Sequence, residues 1–186
     1  MTSTWLTNQF LIAMPAMGDP NFDRTVTFIC EHNEDGALGL VVNRPLGMKL
    51  SDVLGQMSLG GNSKQLDEIP ILRGGPVQPE RGFVVHDQLG EWGSTMEVSE
   101  GIHVTTSRDI LEAMAEGGGP EHALVILGYA GWAAGQLENE MIVNAWLTVP
   151  ADKDVLFAMP FEKRWQAAAA LIGIDINQLG SSFGHA

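Results

Sequence analysis

The sequence predicts an α/β fold in a single domain covering residues 1–186, and three observations carry that reading. Short apolar or alternating runs of strand length recur between Gly and Pro punctuation. Segments with helical spacing are interleaved with them. One wholly apolar run, Ala123 to Leu127, reads as a strand buried on both faces that leads toward a helix. No repeat, linker or low-complexity tract divides the chain. A chain of 186 residues with 45% apolar composition can bury about 70% of its unfolded surface, so it needs no disulfide or metal to hold a core.

Phe10 to Met14 is an apolar run stopped by Pro15, which predicts a buried strand and then a loop through Met17-Gly-Asp-Pro20. Thr25 to His32 alternates, with Val26, Phe28 and Cys30 on one face and Thr25, Thr27 and Ile29 on the other. Asn33-Glu-Asp-Gly36 has hairpin-turn chemistry, and Ala37 to Asn43 supplies the return strand before Arg44-Pro45. Ser51 is placed to cap a short helix reaching Met57, its hydroxyl accepting an orphan backbone N–H. Strands are expected again at Ile71 to Arg73, Gly82 to His86, Ser94 to Val98 and Ile102 to Thr105. Thr106 or Ser107 opens a helix with Ile110, Leu111 and Met114 on one face, stopped by Gly117-Gly-Gly-Pro120. After Ala123 to Leu127, the segment Gly128-Tyr-Ala-Gly-Trp132 reads as a turn into a helix through Gln136 and Met141. Ala145 to Val149 is a further strand, and Phe161, Trp165, Ala168 and Ile172 follow helical spacing after Pro160.

Ten Lys and Arg against 23 Asp and Glu give a net charge of −13, and residues 87–150 hold ten acids against the single base Arg108. Nucleic-acid affinity is built from Lys and Arg neutralising phosphates, so direct DNA or RNA binding is not expected, nor attachment to an anionic membrane. The acid excess suits a solvated surface or a basic protein partner. Cys30 is the only cysteine, which excludes an intramolecular disulfide and favours a reducing compartment. Met1 to Trp5 carries no basic side chain ahead of an apolar run, and the longest weakly polar stretch, Ala123 to Gly135, is too short to span a bilayer. A cytoplasmic, membrane-free protein acting as a monomer is the expectation.

No motif brings catalytic chemistry with it. Gly180-Ser-Ser-Phe-Gly184 matches a nucleophile elbow, but the elbow needs a following helix to hold Ser182, and only His185 and Ala186 remain. Gly128, Gly131 and Gly135 follow a buried strand, yet their spacing is not that of a dinucleotide fingerprint, and no P-loop lysine is present, so no cofactor is implied. Cys30 and His32, two apart on a strand, point the same way and would form a thiolate–imidazole pair if exposed, although burial of Cys30 as an apolar residue is the commoner outcome. His32, His86, His103, His122 and His185 are scattered without metal-ligand spacing, so no metal site is expected. Trp132, Trp146 and Trp165 fit a core or the edge of a groove equally well.

The whole chain resembles the AlgH/YqgE family of bacterial proteins. The resemblance is carried by Phe10-Leu-Ile-Ala-Met-Pro15 with Met17 and Asp19, Cys30-Glu-His32, Gly36-Ala-Leu-Gly-Leu-Val-Val-Asn-Arg-Pro45, Gly74-Gly-Pro-Val77, Arg81-Gly-Phe-Val-Val-His86, Gly128-Tyr-Ala-Gly-Trp132, Gly135-Gln-Leu-Glu138, Asn144-Ala-Trp146 and Gly184-His-Ala186. It implies an α/β sandwich with a mixed β-sheet packed by helices, and a cytosolic home. Members are described as transcriptional or global regulators on the strength of genetic effects such as alginate and virulence-factor control, without an established ligand or reaction. The leading expectation is a non-enzymatic protein that binds a protein or small-molecule partner in a cleft formed by Gly74, Gly75, Pro76, Gly128, Tyr129, Gly131, Trp132, Gln136, Glu138 and Trp146. The alternative is a hydrolase-type enzyme drawing on His86, Asp87 and Glu138 or on the Cys30–His32 pair.

Overall fold

A computed structural model describes residues 5–59, 66 and 69–183, with the side chains of 180–183 outside that description. Among the described residues ten strands join in one curled sheet, a half-barrel, in the order β10-β1-β2-β3-β9-β6-β8-β7, with β5 on β9 and β4 on β5. The strands are β1 Gln9–Ala13, β2 Val26–Asn33, β3 Gly36–Val41, β4 Pro45–Lys49, β5 Pro70–Arg73, β6 Val77–His86, β7 Thr95–Ser99, β8 Ile102–Thr105, β9 Ala123–Ala133 and β10 Trp146–Pro150. The helices are α1 Leu50–Gln56, α2 Asp109–Ala115, α3 Gln136–Ile142, α4 Phe161–Ala170 and α5 Ile176–Phe183, with a π-helical turn at Asp154–Ala158. All pairings are antiparallel except β5 with β9, so the expected mixed sheet is present through that one parallel contact.

Helices cover both faces. Phe10, Phe28, Leu40, Val85 and Ile126 point to one face and meet Val155, Leu156, Trp165 and Ala168 of the π-turn and α4. On the other face, Val84 and Val125 meet Leu50 and Leu54 of α1 and Ile110 of α2. Further along that face, Leu11, Ile29 and Ala130 meet Leu137 of α3. Two neighbouring residues fasten α4 to the sheet: the Arg164 guanidinium donates to the Val42 and Met159 carbonyls at 2.5 and 3.0 Å, and the Trp165 indole donates to the Ala13 carbonyl at 2.9 Å. Burial lowers the Arg164 pKa to about 10. Among the described residues no helix is long and apolar enough to cross a membrane.

The segment expected as a turn after Leu127 is strand. β9 runs for 11 residues through Gly128-Tyr-Ala-Gly-Trp132, and the true turn into α3 is left to Ala134 and Gly135. The sequence signal was misleading because Gly128, at φ +80°, breaks the alternation without ending the strand. Before it, Leu124 and Ile126 face α4 while Val125 faces α1 and α2. After it the phase inverts: Tyr129 packs on the α4 side, and Ala130 and Trp132 turn to α3. Gly128 is also where β9 changes partner, from Ile71–Arg73 of β5 to Gly36–Gly39 of β3.

Two smaller corrections have similar causes. Helix α1 begins at Leu50, and the Asp52 carboxylate accepts the Lys49 N–H at 3.0 Å, where Ser51 was expected to cap. The extra residue of a β-bulge between Ile29 and Glu31 separates Cys30 from His32. Cys30 packs with Phe28 and Leu40, whereas Ala37, the partner of His32 across the ladder, packs on the α3 face.

Replacing Gly128 by Ala forces a side chain into the left-handed region and drives its Cβ to 2.8 Å from the Gly75 carbonyl oxygen. Urea unfolding of Gly128→Ala is expected to show a loss of at least about 2 kcal/mol, and a change below about 0.5 kcal/mol contradicts this account of β9.

Candidate functional site

Helix α3 gathers several of the expected cleft residues, and a residue that sequence reasoning passed over holds them together. Glu140 Oε1 accepts the indole N–H of Trp132 at 3.1 Å and of Trp146 at 3.0 Å, and Glu140 Oε2 accepts from the Gln136 amide at 3.0 Å. Gln136 in turn accepts the Ala133 N–H at 2.9 Å. Phe22 packs against both indoles, with ring centroids 6.1 and 5.4 Å away. Trp132 and Trp146 are therefore core side chains, as is Trp165. A signal for Glu140 was present, since Gln136 and Glu140 are one helical turn apart, but the two indole donors come from strands distant in sequence.

Glu138 leaves the same helix on another side and meets His32 at 2.5 Å. His32 Nδ1 accepts the Leu6 N–H at 2.9 Å, which leaves the ring proton on Nε2 facing the carboxylate. Trp5 stands edge-on to the same ring at 5.0 Å. The imidazole is buried and both nitrogens are occupied. Cys30 is buried on the other face, and burial, with a smaller contribution from Glu31, pushes its thiol pKa well up. The thiolate–imidazole pair is not formed.

Gly74, Gly75 and Pro76 lie elsewhere. A Cβ on Gly74 would meet the Gly128 carbonyl, and one on Gly75 the Tyr129 backbone, so these glycines permit close passage of two chain segments. Gly75 and Pro76 border a dent with Arg44 and Arg73, while Trp132 borders an open groove of about 280 Å³ with Glu31, Asp35 and Gly36. Tyr129 packs on Phe83 at 5.8 Å beneath the Arg81 guanidinium, and Gly131 is exposed. The ten expected residues thus divide among separate places.

The residues of the enzymatic alternative also part company. His86 Nδ1 donates to the Gln88 carbonyl and Nε2 accepts from the Thr105 hydroxyl, both at 2.7 Å. Asp87 pairs with His122 at 2.7 Å, and Glu138 is held by His32. His86 stacks on buried His103, ring centroids 5.6 Å apart. Ser182 falls within α5, and its side chain, with Gly184, His185 and Ala186, lies outside the described residues.

A concavity between α1 and α2 holds none of the expected cleft residues. It encloses about 320 Å³ over the sheet, with Val84, Val125 and Leu127 as floor, Val53 and Met57 on the α1 side and Leu111 on the α2 side. Arg108 bridges the two helices by donating to the Met57 carbonyl at 2.7 Å, and its Nε lies 3.3 Å from Glu112. Asp109 fixes the start of α2: its carboxylate accepts from the Ser107 hydroxyl at 2.5 Å and the Gly93 N–H at 2.7 Å, and these bonds hold its pKa below the usual carboxylate value. Thr105 lines the cavity and joins it to His86. Sequence reasoning missed this site because its walls come from four separated segments whose apolar residues look like ordinary core.

A profile of the AlgH-like family matches residues 10–177. A UPF0301 protein of Thioalkalivibrio sulfidiphilus is 58% identical over 184 residues, covering 99% of this chain and 98% of its own, and one of Nitrosococcus oceani is 50% identical over 185 residues, covering 100% and 99%. The solution structure of the AlgH protein from Pseudomonas aeruginosa superposes with a TM-score of 0.81 at 50% identity, covering 100% of this chain and 98% of that one. A crystal structure from Corynebacterium diphtheriae shares the fold with a TM-score of 0.74 at 18% identity, covering 97% and 94%.

Two predictions follow from the geometry. Glu140→Leu leaves two indole N–H groups without their acceptor and is expected to cost about 2 kcal/mol in urea unfolding, with altered tryptophan emission; a change within 0.5 kcal/mol counts against the clamp. Burial, more than any other influence, holds His86 below the ordinary histidine pKa. The unfolded chain, titrating near about 6.5, then binds this proton first as pH falls. The His86 contribution is complete above that value and is lost as pH falls through the folded pKa. His86→Gln is expected to make the stability–pH curve shallower below about 6.5, by at most about 1.4 kcal/mol per pH unit, and an unchanged slope refutes the assignment. These residues, the fold and the matches along its whole length place the chain in the AlgH-like, UPF0301 family.

Proposed function

We propose that this protein is a non-enzymatic cytoplasmic regulator that works by capturing a small, largely apolar molecule in the cavity between α1 and α2, and not by contacting DNA. The observation that carries the reading is the cavity itself, about 320 Å³ and lined mainly by apolar side chains, with a few polar groups among them that include the buried Thr105 hydroxyl. Ligand sites have that composition, with apolar surface for affinity and a few polar groups for orientation. Support also comes from the titratable groups: His32 and Glu138 are bound to each other, His86 to Gln88 and Thr105, and Asp87 to His122, while Cys30 is buried. The charge of −13 weighs against phosphate binding.

A second reading, capture of a basic protein segment, is favoured by the groove beside Trp132, whose rim carries Glu31 and Asp35. Electrostatic attraction there is salt-sensitive, whereas apolar capture is not.

Titration with 1-octanol, followed by backbone amide NMR, is expected to shift Val53, Met57, Leu111 and Val125 together in a saturable way. Leu111→Trp, which fills the cavity, is expected to weaken the response at least about tenfold. Absence of saturable shifts at these residues sinks the cavity reading, and sub-micromolar, salt-sensitive binding to duplex DNA sinks its regulatory corollary.

A further inference from the structure

From the mouth of the α1/α2 cavity we infer the class of ligand: an apolar-bodied cation, an alkylammonium, whose charge sits on Glu80. The inference rests on the cavity being a ligand site. It begins from an irregularity in β6. Between Val77, opposite Tyr129, and Gly82, opposite Leu127, β6 has four residues where β9 has one. Gln78 adopts φ +43° inside this bulge, a conformation that non-glycine residues rarely hold. Bulges re-aim side chains, and strained backbone of this kind concentrates at functional sites. Here the bulge sends two adjacent opposite charges to different places. Arg81 lies over the Phe83 and Tyr129 rings at 5.3 and 5.8 Å, while Glu80 lines the cavity.

The charges around the mouth then decide the sign of the ligand. Arg108, the one basic residue lining it among the described residues, already has its charge opposed by the Glu112 carboxylate 3.3 Å from its Nε and donates to the Met57 carbonyl, so it draws an incoming anion less strongly than a free cation would. Glu80 is exposed and forms no ion pair among the described residues. Among the described residues its carboxylate is the unpaired charge at the edge of a mainly apolar space, and the protein's net −13 adds attraction for a cation at long range. An alkyl chain entering between Val53 and Leu111 leaves its ammonium at the solvent edge, where it stays hydrated and pays no burial cost while meeting Glu80.

The test compares octylammonium, 1-octanol and octanoate by NMR titration and calorimetry, on the full chain and on Glu80→Gln, at low and high salt. Octylammonium is expected to bind about fivefold tighter than octanol at low salt, the magnitude of a rim ion pair. Glu80→Gln is expected to abolish that preference while octanol affinity stays unchanged, which also shows that the variant is folded. Equal binding of octylammonium and octanol, tighter binding of octanoate, or a preference that survives Glu80→Gln overturns the head-group assignment and leaves the cavity reading standing. Failure of all three probes to bind overturns the cavity reading and this inference with it.

Discussion

Gly128 sits at φ +80° in the middle of the longest strand, and the layered arrangement depends on it. A strand of constant phase keeps one set of side chains on each face. β9 instead serves α1 and α2 with Val125, and α4 with Leu124 and Ile126. Past the glycine it serves α3 with Ala130 and Trp132. The same residue marks the exchange of β5 for β3 along one edge of β9. Any side chain there would press on the Gly75 and Val77 carbonyls, so bare backbone is required for strain and for space together.

Much of this was legible in the sequence. The apolar strand Ala123 to Leu127, the hairpin at Asn33 to Gly36 and the helix after Pro160 each follow from composition and spacing, and the fold class and the mixed sheet that the family resemblance implied are as expected. What escaped were events in which the backbone breaks period without stopping. Glycines at 128 and 131 look like a turn, and only the pairing of Gly36–Gly39 with Gly131, Ala130 and their neighbours reveals a continuing strand. The bulge at Cys30 is equally silent, since Cys30-Glu-His32 reads as ordinary alternation, yet it moves His32 to the face where Glu138 waits.

The residues expected to form a cleft are spread over separate parts of the fold for a related reason. Aromatics and glycines attract attention as recognition residues, but here the indoles of Trp132 and Trp146 are fastened to Glu140, and Gly74 and Gly75 serve backbone approach. A buried polar group must find a partner, so a conspicuous polar or aromatic residue is often spent on structure. The cavity uses inconspicuous residues, Val53, Leu111, Val125 and Leu127, whose role depends on α1 and α2 standing apart.

The cavity and the strand switch are one event seen from two strands. Val77 and Gly82 of β6 pair with Tyr129 and Leu127, so the residues that bracket the bulge are those that flank Gly128. Where β9 inverts its phase, β6 shifts register through a bulge of Gln78, Pro79, Glu80 and Arg81. The bulge sends charged side chains to different places, Arg81 over the aromatic rings and Glu80 to the cavity. A conformational requirement of a single glycine thereby fixes where a charge stands relative to an apolar space, and the chemistry of the site follows from the same residue that holds the sheet together.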